Sequence, residues 1–184
     1  MIIAFIGKKR SGKTTACEYL TTDNTLRVNF KDALLREVRQ KFPKLLQEII
    51  TIMDATAYDG MRPWTTDRLL AEKPPLARAL LQNYGTDVVR AIDSDHFVKE
   101  WEATVAKYPD HLILTDDVRF PNEHAAVKRR GGVTIKIVRE GWESTDTHIS
   151  EVEMDSLVPD YTITVGTVEE LHARLNDVMK NIRA

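Results

Sequence analysis

The sequence contains one cysteine, seven prolines and eight glycines among 184 residues, and aromatic side chains make up only 7% of it. A lone cysteine, Cys17, cannot form an internal disulfide and fits a reducing compartment. The low glycine and proline content excludes collagen-like and low-complexity classes. Neither sign of charge dominates: 26 basic residues face 28 acidic ones, for a net charge of −2. No broad basic face is implied, which argues against a nucleic-acid backbone as the main ligand. Long apolar runs are missing too. Ile2–Ile6 is far too short for a signal peptide or a membrane span. His96, His111, His124 and His172 show no metal-ligand spacing with the cysteine or with one another, so a zinc site is unsupported. The expectation is a cytoplasmic protein with neither a membrane nor a nucleic-acid partner.

The 42% apolar and 29% charged residues suit a globular chain with a sizeable core. No internal repeat is visible, and the length predicts one domain spanning 1–184. Strands are expected at Ile2–Ile6, Leu26–Phe30, Leu112–Thr115, Val133–Val138 and Tyr161–Val165. Between and after them, helical periodicity covers Lys13–Leu20, Asp32–Lys41, Leu45–Met53, Leu76–Ile92, Asp95–Lys107, Pro121–Arg130 and Thr167–Ile182. Pro43 is expected to close the helix before it, and Gly85 interrupts the middle of another. Ser94 or Asp95 suits an N-cap, while Thr167 and Glu170 stand at capping-box spacing. Tyr58–Arg68 reads as a loop. Strands alternating with helices imply an α/β fold, a three-layer α/β/α arrangement around a five-stranded parallel sheet. Ligands bind such sheets beyond the carboxyl ends of the strands. The segments Gly7–Thr14, Lys31-Asp32, Asp116–Arg119 and Arg139 onward are therefore expected to converge.

The first of those segments carries the strongest signal. Gly7-Lys8-Lys9-Arg10-Ser11-Gly12-Lys13-Thr14 has the G-x-x-x-x-G-K-[ST] pattern of a phosphate-binding loop, placed between a strand and a helix as the mechanism requires. Its glycines let backbone N–H groups curl around a phosphate chain, and the helix N-terminus adds a field of the right sign. Gly7, Lys9, Arg10, Ser11, Gly12, Lys13, Thr14 and Thr15 are the expected contacts with a nucleoside triphosphate. Lys13 would reach the β- and γ-phosphates and the Thr14 hydroxyl would hold Mg²⁺.

Asp116-Asp117 follows an apolar strand, where a phosphoryl-transfer enzyme places its metal-organising acid; either carboxylate could serve beside Thr14. Arg119 is close enough to share that site, and a guanidinium can bridge phosphate oxygens in a fork. Acceptor specificity falls to the segment between the second and third strands, with Asp32, Arg36, Arg62, Trp64, Arg68, Gln82, Tyr84, Asp87 and Arg90 as its polar and aromatic candidates. Gln82 and Arg90 lie about two helical turns apart. Arg139 ends a strand and opens a polar stretch, roughly 139–150, where a short lid would close over phosphates and exclude water. His148–Glu151 could close that lid or cap the next helix.

With those residues in place, the chain resembles the deoxynucleoside monophosphate kinases of tailed bacteriophages. The resemblance runs nearly the whole length and rests on Gly7–Thr15, Phe30–Leu35, Leu81–Arg90 (LQNYGTDVVR), Asp117–Glu123 (DVRFPNE), His148–Glu151 and Asp160–Gly166. LQNYGTDVVR together with DVRFPNE is the specific part; the phosphate loop is shared with many other families. The resemblance implies a nucleoside monophosphate kinase fold with an acceptor-binding helical region, about 31–95, and a short lid. It implies ATP and Mg²⁺ as cofactors, and transfer of the γ-phosphoryl group to a deoxynucleoside 5′-monophosphate, in host cytoplasm if the gene is viral. It assigns Lys13 and Thr14 to the donor phosphates and metal, Asp32, Gln82 and Arg90 to the acceptor, Arg119 to the transferring phosphate and Arg139 to the lid. Joined with the residue reading, the expected catalytic set is Lys13, Asp117, Arg119 and Arg139, the expected metal set Thr14, Asp116 and Asp117, and Arg36, Trp64, Arg68 and Asp87 are the further acceptor candidates. Many relatives carry aspartate at the Thr14 position and asparagine near Val165, so backbone groups at Gly166 and Thr167 become the candidates for meeting adenine. The partners implied are small nucleotides, and Leu45–Met53 offers an amphipathic face for a homodimer.

Two other readings stand beside this one. Phosphomevalonate kinases of the animal type share the basic phosphate loop, the Asp-x-Arg segment and the arginine after the next strand. A P-loop ATPase driving a partner would want a water-activating residue after the metal acid, where this chain has Val118-Arg119.

Overall fold

A computed structural model describes residues 1–56, 63–142 and 153–183. The chain divides into two compact units, Met1–Phe30 with Val98–Ala184, and Lys31–Phe97.

The first unit is built on five parallel strands: β1 (Ile2–Ile6), β2 (Thr25–Arg27), β3 (Leu112–Val118), β4 (Val133–Arg139) and β5 (Tyr161–Val165), in the order β2-β3-β1-β4-β5. β1 is apolar throughout because both its faces are covered. Ile2, Ala4 and Ile6 pack with Val98, Trp101 and Val105 of α6 (His96–Val105) and with Ala126 and Val127 of α7 (Pro121–Arg129). Ile3 and Phe5 face Ala16 and Cys17 of α1 (Lys13–Leu20) and Leu171, Leu175, Val178 and Met179 of α8 (Val168–Arg183). That is the three-layer α/β/α architecture expected. Buried Trp101 crosses one layer to donate from Nε1 to the Val28 carbonyl at 3.1 Å and to Thr115 Oγ1 at 3.2 Å.

Several boundaries differ from the sequence reading. β2 stops at Arg27 rather than Phe30, although the Val28 N–H still reaches the Leu114 carbonyl at 3.0 Å. β3 runs on through the acidic pair instead of ending at Thr115. Ala4 pairs with Thr115 and Ile6 with Val118, so Asp116 and Asp117 together oppose Phe5 as a β-bulge. Bulges re-aim side chains beside functional sites, which periodicity along one strand cannot reveal.

The second unit is helical: α2 (Lys31–Lys41), α3 (Pro43–Thr56), α4 (Thr66–Glu72), α5 (Pro75–Gln82) and a π-helix (Asn83–Arg90). Pro43 opens α3 rather than merely closing α2; a proline in the first turn loses no helical hydrogen bond. Thr66–Arg68, expected in a loop, begins α4, and Thr65 Oγ1 caps it by accepting from the Arg68 N–H at 3.1 Å. Residues 58–62 of that expected loop, Arg62 included, lie outside the described residues. The helix predicted across Leu76–Ile92 is a single helical run whose later part is wound as a π-helix. Gly85 sits there because a Cβ would come within 3.0 Å of Leu34 Cδ2. Val38, Leu46, Ile49, Ile50, Leu69, Leu70, Ala77, Leu81 and Tyr84 form this unit's core. Among the described residues, no helix is long and apolar enough to cross a membrane.

Candidate active site

The phosphate loop starts where β1 ends. Gly7 has φ +153°, and a Cβ there would lie 2.5 Å from the Ile137 carbonyl oxygen and 2.6 Å from Ser11 Oγ. Gly12 immediately precedes α1 at φ +106°, a conformation that suits glycine alone. Between them the Ser11 N–H returns to the Lys8 carbonyl at 3.1 Å. Lys13 Nζ donates to the carbonyls of Gly7 (2.6 Å) and Lys8 (2.7 Å), so the ammonium is held inside the loop's curve.

The end of β4 braces the loop from outside. Trp142 Nε1 donates to the Lys9 carbonyl at 2.9 Å, and Arg139 Nη1 to the Arg10 carbonyl at 3.4 Å. A trans peptide points its C=O and N–H in opposite directions, so fixing the Lys9 carbonyl toward Trp142 aims the Arg10 N–H away from it. The Arg10 guanidinium carbon also lies 5.7 Å from the Trp142 ring centroid. Arg10 itself has φ +65°, a strained conformation of the kind stored at functional sites. Sequence reasoning found Arg139 from its place at a strand end but missed Trp142, an isolated aromatic in a polar stretch. Lys8 is tied to Asp155 at 2.7 Å, another contact no local pattern signals.

Arg10, Ser11, Gly12, Lys13, Thr14 and Thr15 share a cavity of about 270 Å³ with Arg139 and with Val165, Gly166, Thr167, Val168 and Leu171 around the β5–α8 turn. Gly166 and Thr167 therefore do lie beside the loop. Their N–H groups, however, are engaged: both donate to Glu170 Oε2, at 2.8 and 3.2 Å, and Thr167 Oγ1 accepts from the Glu170 N–H at 3.2 Å. These bonds hold the Glu170 carboxyl below its usual range. The same capping box that the sequence placed at Thr167 thus competes with the adenine-recognition role considered for these amides.

The acidic bulge separates the two carboxylates by task. Asp116 Oδ2 accepts from Thr14 Oγ1 at 3.1 Å and forms an ion pair with Arg27 Nη2, which also approaches Thr14 Oγ1 at 3.4 Å. The Asp116 N–H is fixed by Asn29 Oδ1 at 2.9 Å. Burial alone would lower the Arg27 pKa, but the Asp116 charge and hydrogen bond outweigh it and raise it. Asp117 instead accepts from the Phe30 N–H at 3.1 Å. Arg27 and Asn29 lie in a segment that looked like ordinary strand, so neither was singled out. Arg119 is half-buried just past the bulge, and its N–H is set by Glu123 Oε2 at 2.8 Å; the same oxygen takes the Phe120 N–H at 3.1 Å. Glu123 is buried at the head of α7 and fixes the turn that carries Arg119.

The acceptor candidates fall in the helical unit. Asp32 and Arg36 are exposed on α2, and Gln82 is half-buried at the end of α5. Asp87 and Arg90 follow on the π-helix, where Asp87 Oδ2 accepts from Asn83 Nδ2 at 3.4 Å and Arg90 Nη1 donates to the Ser94 carbonyl at 3.2 Å. A π-helix turns less per residue than the about 100° of an α-helix, so the α-helical spacing used for Gln82 and Arg90 does not apply. Arg68 stacks over Trp64 at 4.1 Å and bonds Glu72 at 2.8 Å. Tyr84, an aromatic candidate for the acceptor in the sequence, is instead a core residue. Its hydroxyl donates to Glu37 Oε2 at 2.7 Å and accepts from Lys41 Nζ, while Glu37 Oε1 meets His96 Nε2 at 2.5 Å. Of the expected lid, residues 143–150 lie outside the described residues, as does His148–Glu151.

Comparison with known proteins adds what geometry alone does not. The family model described as deoxynucleotide monophosphate kinase matches residues 52–175. A deoxynucleotide monophosphate kinase homologue from Acanthamoeba polyphaga mimivirus is 31% identical, over 98% of this chain and 97% of its own. The deoxynucleotide monophosphate kinases of Escherichia phage RB69 and Enterobacteria phage T4 are 33% and 32% identical over 56% of this chain, matching 44% and 45% of those longer proteins. Among solved structures, thymidylate kinase from Candida albicans aligns over 99% of this chain and 92% of its own at 12% identity and a TM-score of 0.49. Dephospho-CoA kinase from Campylobacter jejuni aligns over 98% and 96% at 13% identity and a TM-score of 0.46. The family match takes in both specific segments, LQNYGTDVVR and DVRFPNE, and the viral relative extends it through the phosphate loop to the last helix: the chain belongs to the deoxynucleotide monophosphate kinase family.

Proposed function

We propose that this protein transfers the γ-phosphoryl group of ATP to the phosphate of a deoxynucleoside 5′-monophosphate, giving the diphosphate and ADP. The observation that carries the reading is the contact of Asp116 with Thr14 at the mouth of the phosphate loop, with Lys13 in the same turn. A hydroxyl and a carboxylate 3.1 Å apart are hard oxygen donors of the kind Mg²⁺ takes together with substrate phosphates, so Thr14 and Asp116 fit the ion. Bound there, Mg²⁺ would neutralise charge on the β- and γ-phosphates.

The remaining work belongs to the chain. Backbone amides of the loop and Lys13 hold the donor phosphates, and Arg10 and Arg139 flank them. Arg119 bridges oxygens of the transferring group. Asp117 serves by fixing the turn at Phe30. In the helical unit, Asp32, Arg36, Gln82, Asp87 and Arg90 recognise the monophosphate, and Trp64 with Arg68 enters as one stacked pair. The acceptor phosphate is already anionic near neutral pH, so no strong general base is needed. An oxygen of the acceptor phosphate bonds to the γ-phosphorus, the bond to the β–γ bridging oxygen breaks, and ADP leaves. Catalysis is then alignment plus charge neutralisation. An ATP-dependent activity on free nucleotides fits the cytoplasm, and exposed Leu45 and Ile52 on α3 offer a face for a homodimer.

ADP formation measured with a panel of deoxynucleoside monophosphates, ribonucleoside monophosphates and phosphomevalonate tests this reading. ADP release should depend on a deoxynucleotide acceptor. Rapid hydrolysis that ignores every acceptor would favour an ATPase, and a response to phosphomevalonate alone would favour the other kinase class.

A further inference from the structure

Arg27 is a cation placed against both oxygens assigned to the metal. Its Nη2 pairs with Asp116 Oδ2 and lies 3.4 Å from Thr14 Oγ1, while those two oxygens are themselves 3.1 Å apart. One guanidinium nitrogen therefore spans a hydroxyl and a carboxylate, the two donors a divalent cation would need. The Thr14 hydroxyl donates to Asp116 and turns its lone pairs toward Arg27, which are the electrons a metal would have to take. Asp116 is almost fully buried, with its side chain 4% exposed, whereas 38% of the Arg27 side chain is open to solvent. The carboxylate is thus the fixed partner and the arginine the movable one. Arg27 ends β2, and the Val28 N–H anchored at Leu114 holds the backbone there, so only the long flexible side chain has to swing.

We infer that Arg27 competes with the divalent cation for Thr14 and Asp116, so that metal–nucleotide binding displaces its guanidinium from the site. The inference rests on the assignment of Thr14 and Asp116 to the metal in the preceding section. Pairing with Arg27 offsets the cost of burying Asp116 and lowers its pull on a free ion. The site then takes the metal with its nucleotide, whose phosphates add the missing ligands.

The test compares the affinity for ADP alone, in chelator, with that for Mn²⁺–ADP by calorimetry. The ratio of the two isolates the metal's contribution and cancels any direct contact of Arg27 with nucleotide. In Arg27→Gln the preference for the metal complex should rise about tenfold over wild type, and in Asp116→Asn it should fall toward unity. An equal or smaller preference in Arg27→Gln would overturn the competition. A wild-type preference no greater than that of Asp116→Asn would instead overturn the metal-site assignment. Should Arg27→Gln fold poorly, side-chain NMR of the wild-type protein decides. The Arg27 guanidinium resonances should shift and exchange faster when Mg²⁺ is added to the ADP complex, and unchanged resonances would refute displacement.

Discussion

Replacing Gly7 by alanine tests how the phosphate loop is held. A Cβ at Gly7 meets the Ile137 carbonyl oxygen at 2.5 Å and Ser11 Oγ at 2.6 Å. Ser11 could rotate away, but Ile137 is a ladder residue of β4, paired with Ile163 and buried in the core. Its carbonyl cannot withdraw without moving the strand. Gly131 provides the control: it has φ +69° and nothing within 4 Å of an added Cβ. Gly131→Ala should cost only the backbone strain of the left-handed region, about 1–2 kcal/mol. Gly7→Ala adds an overpacking term of about 1–3 kcal/mol. With roughly 2–4 °C of melting shift per kcal/mol at this chain length, the clash should lower the midpoint by roughly 2–12 °C beyond the control. Thermal unfolding of both variants, with nucleotide affinity measured alongside, checks it. Equal midpoints would refute the claim that Ile137 packs rigidly against the loop.

Lys13→Ala and Arg119→Ala should each reduce turnover sharply while leaving circular dichroism and the melting profile near wild type; normal rates in a folded Arg119→Ala protein would remove that residue from catalysis. Leu69→Ala, at a fully buried position in the helical unit, should destabilise that unit by about 2–5 kcal/mol, read by urea unfolding. His124 is held below its ordinary pKa chiefly by burial, with the nearby Asp160 charge opposing. Between its lowered value and the ordinary histidine value the unfolded chain binds more protons, so stability falls as pH drops through that window. His124→Gln should flatten that part of the stability–pH curve, and an unchanged slope would show that another group titrates there.

The strands of the first unit were legible because burial on both faces leaves an uninterrupted apolar run at Ile2–Ile6, and because Tyr161–Val165 alternates exposed threonines with buried Ile163 and Val165. The phosphate loop was legible because its glycines answer to local backbone demands, and the Thr167–Glu170 cap because its partners are three residues apart. What the sequence concealed depends on pairing between distant segments. The bulge at Asp116-Asp117 exists only relative to β1, and Arg27 matters only because β2 lies beside β3. The π-helix replaced an α-helical expectation because hydrophobic spacing over eight residues does not separate the two windings. Tyr84 drew attention as an aromatic near polar residues, yet its hydroxyl finds Glu37 and Lys41, so it could be buried.

Transfer to a nucleotide acceptor is tested most directly by following the label of γ-³²P-ATP in the presence of single deoxynucleoside monophosphates. The expected result is label recovered in the corresponding deoxynucleoside diphosphate, in step with ADP and abolished in Lys13→Ala. Label recovered as inorganic phosphate, at a rate indifferent to the monophosphate, would contradict it.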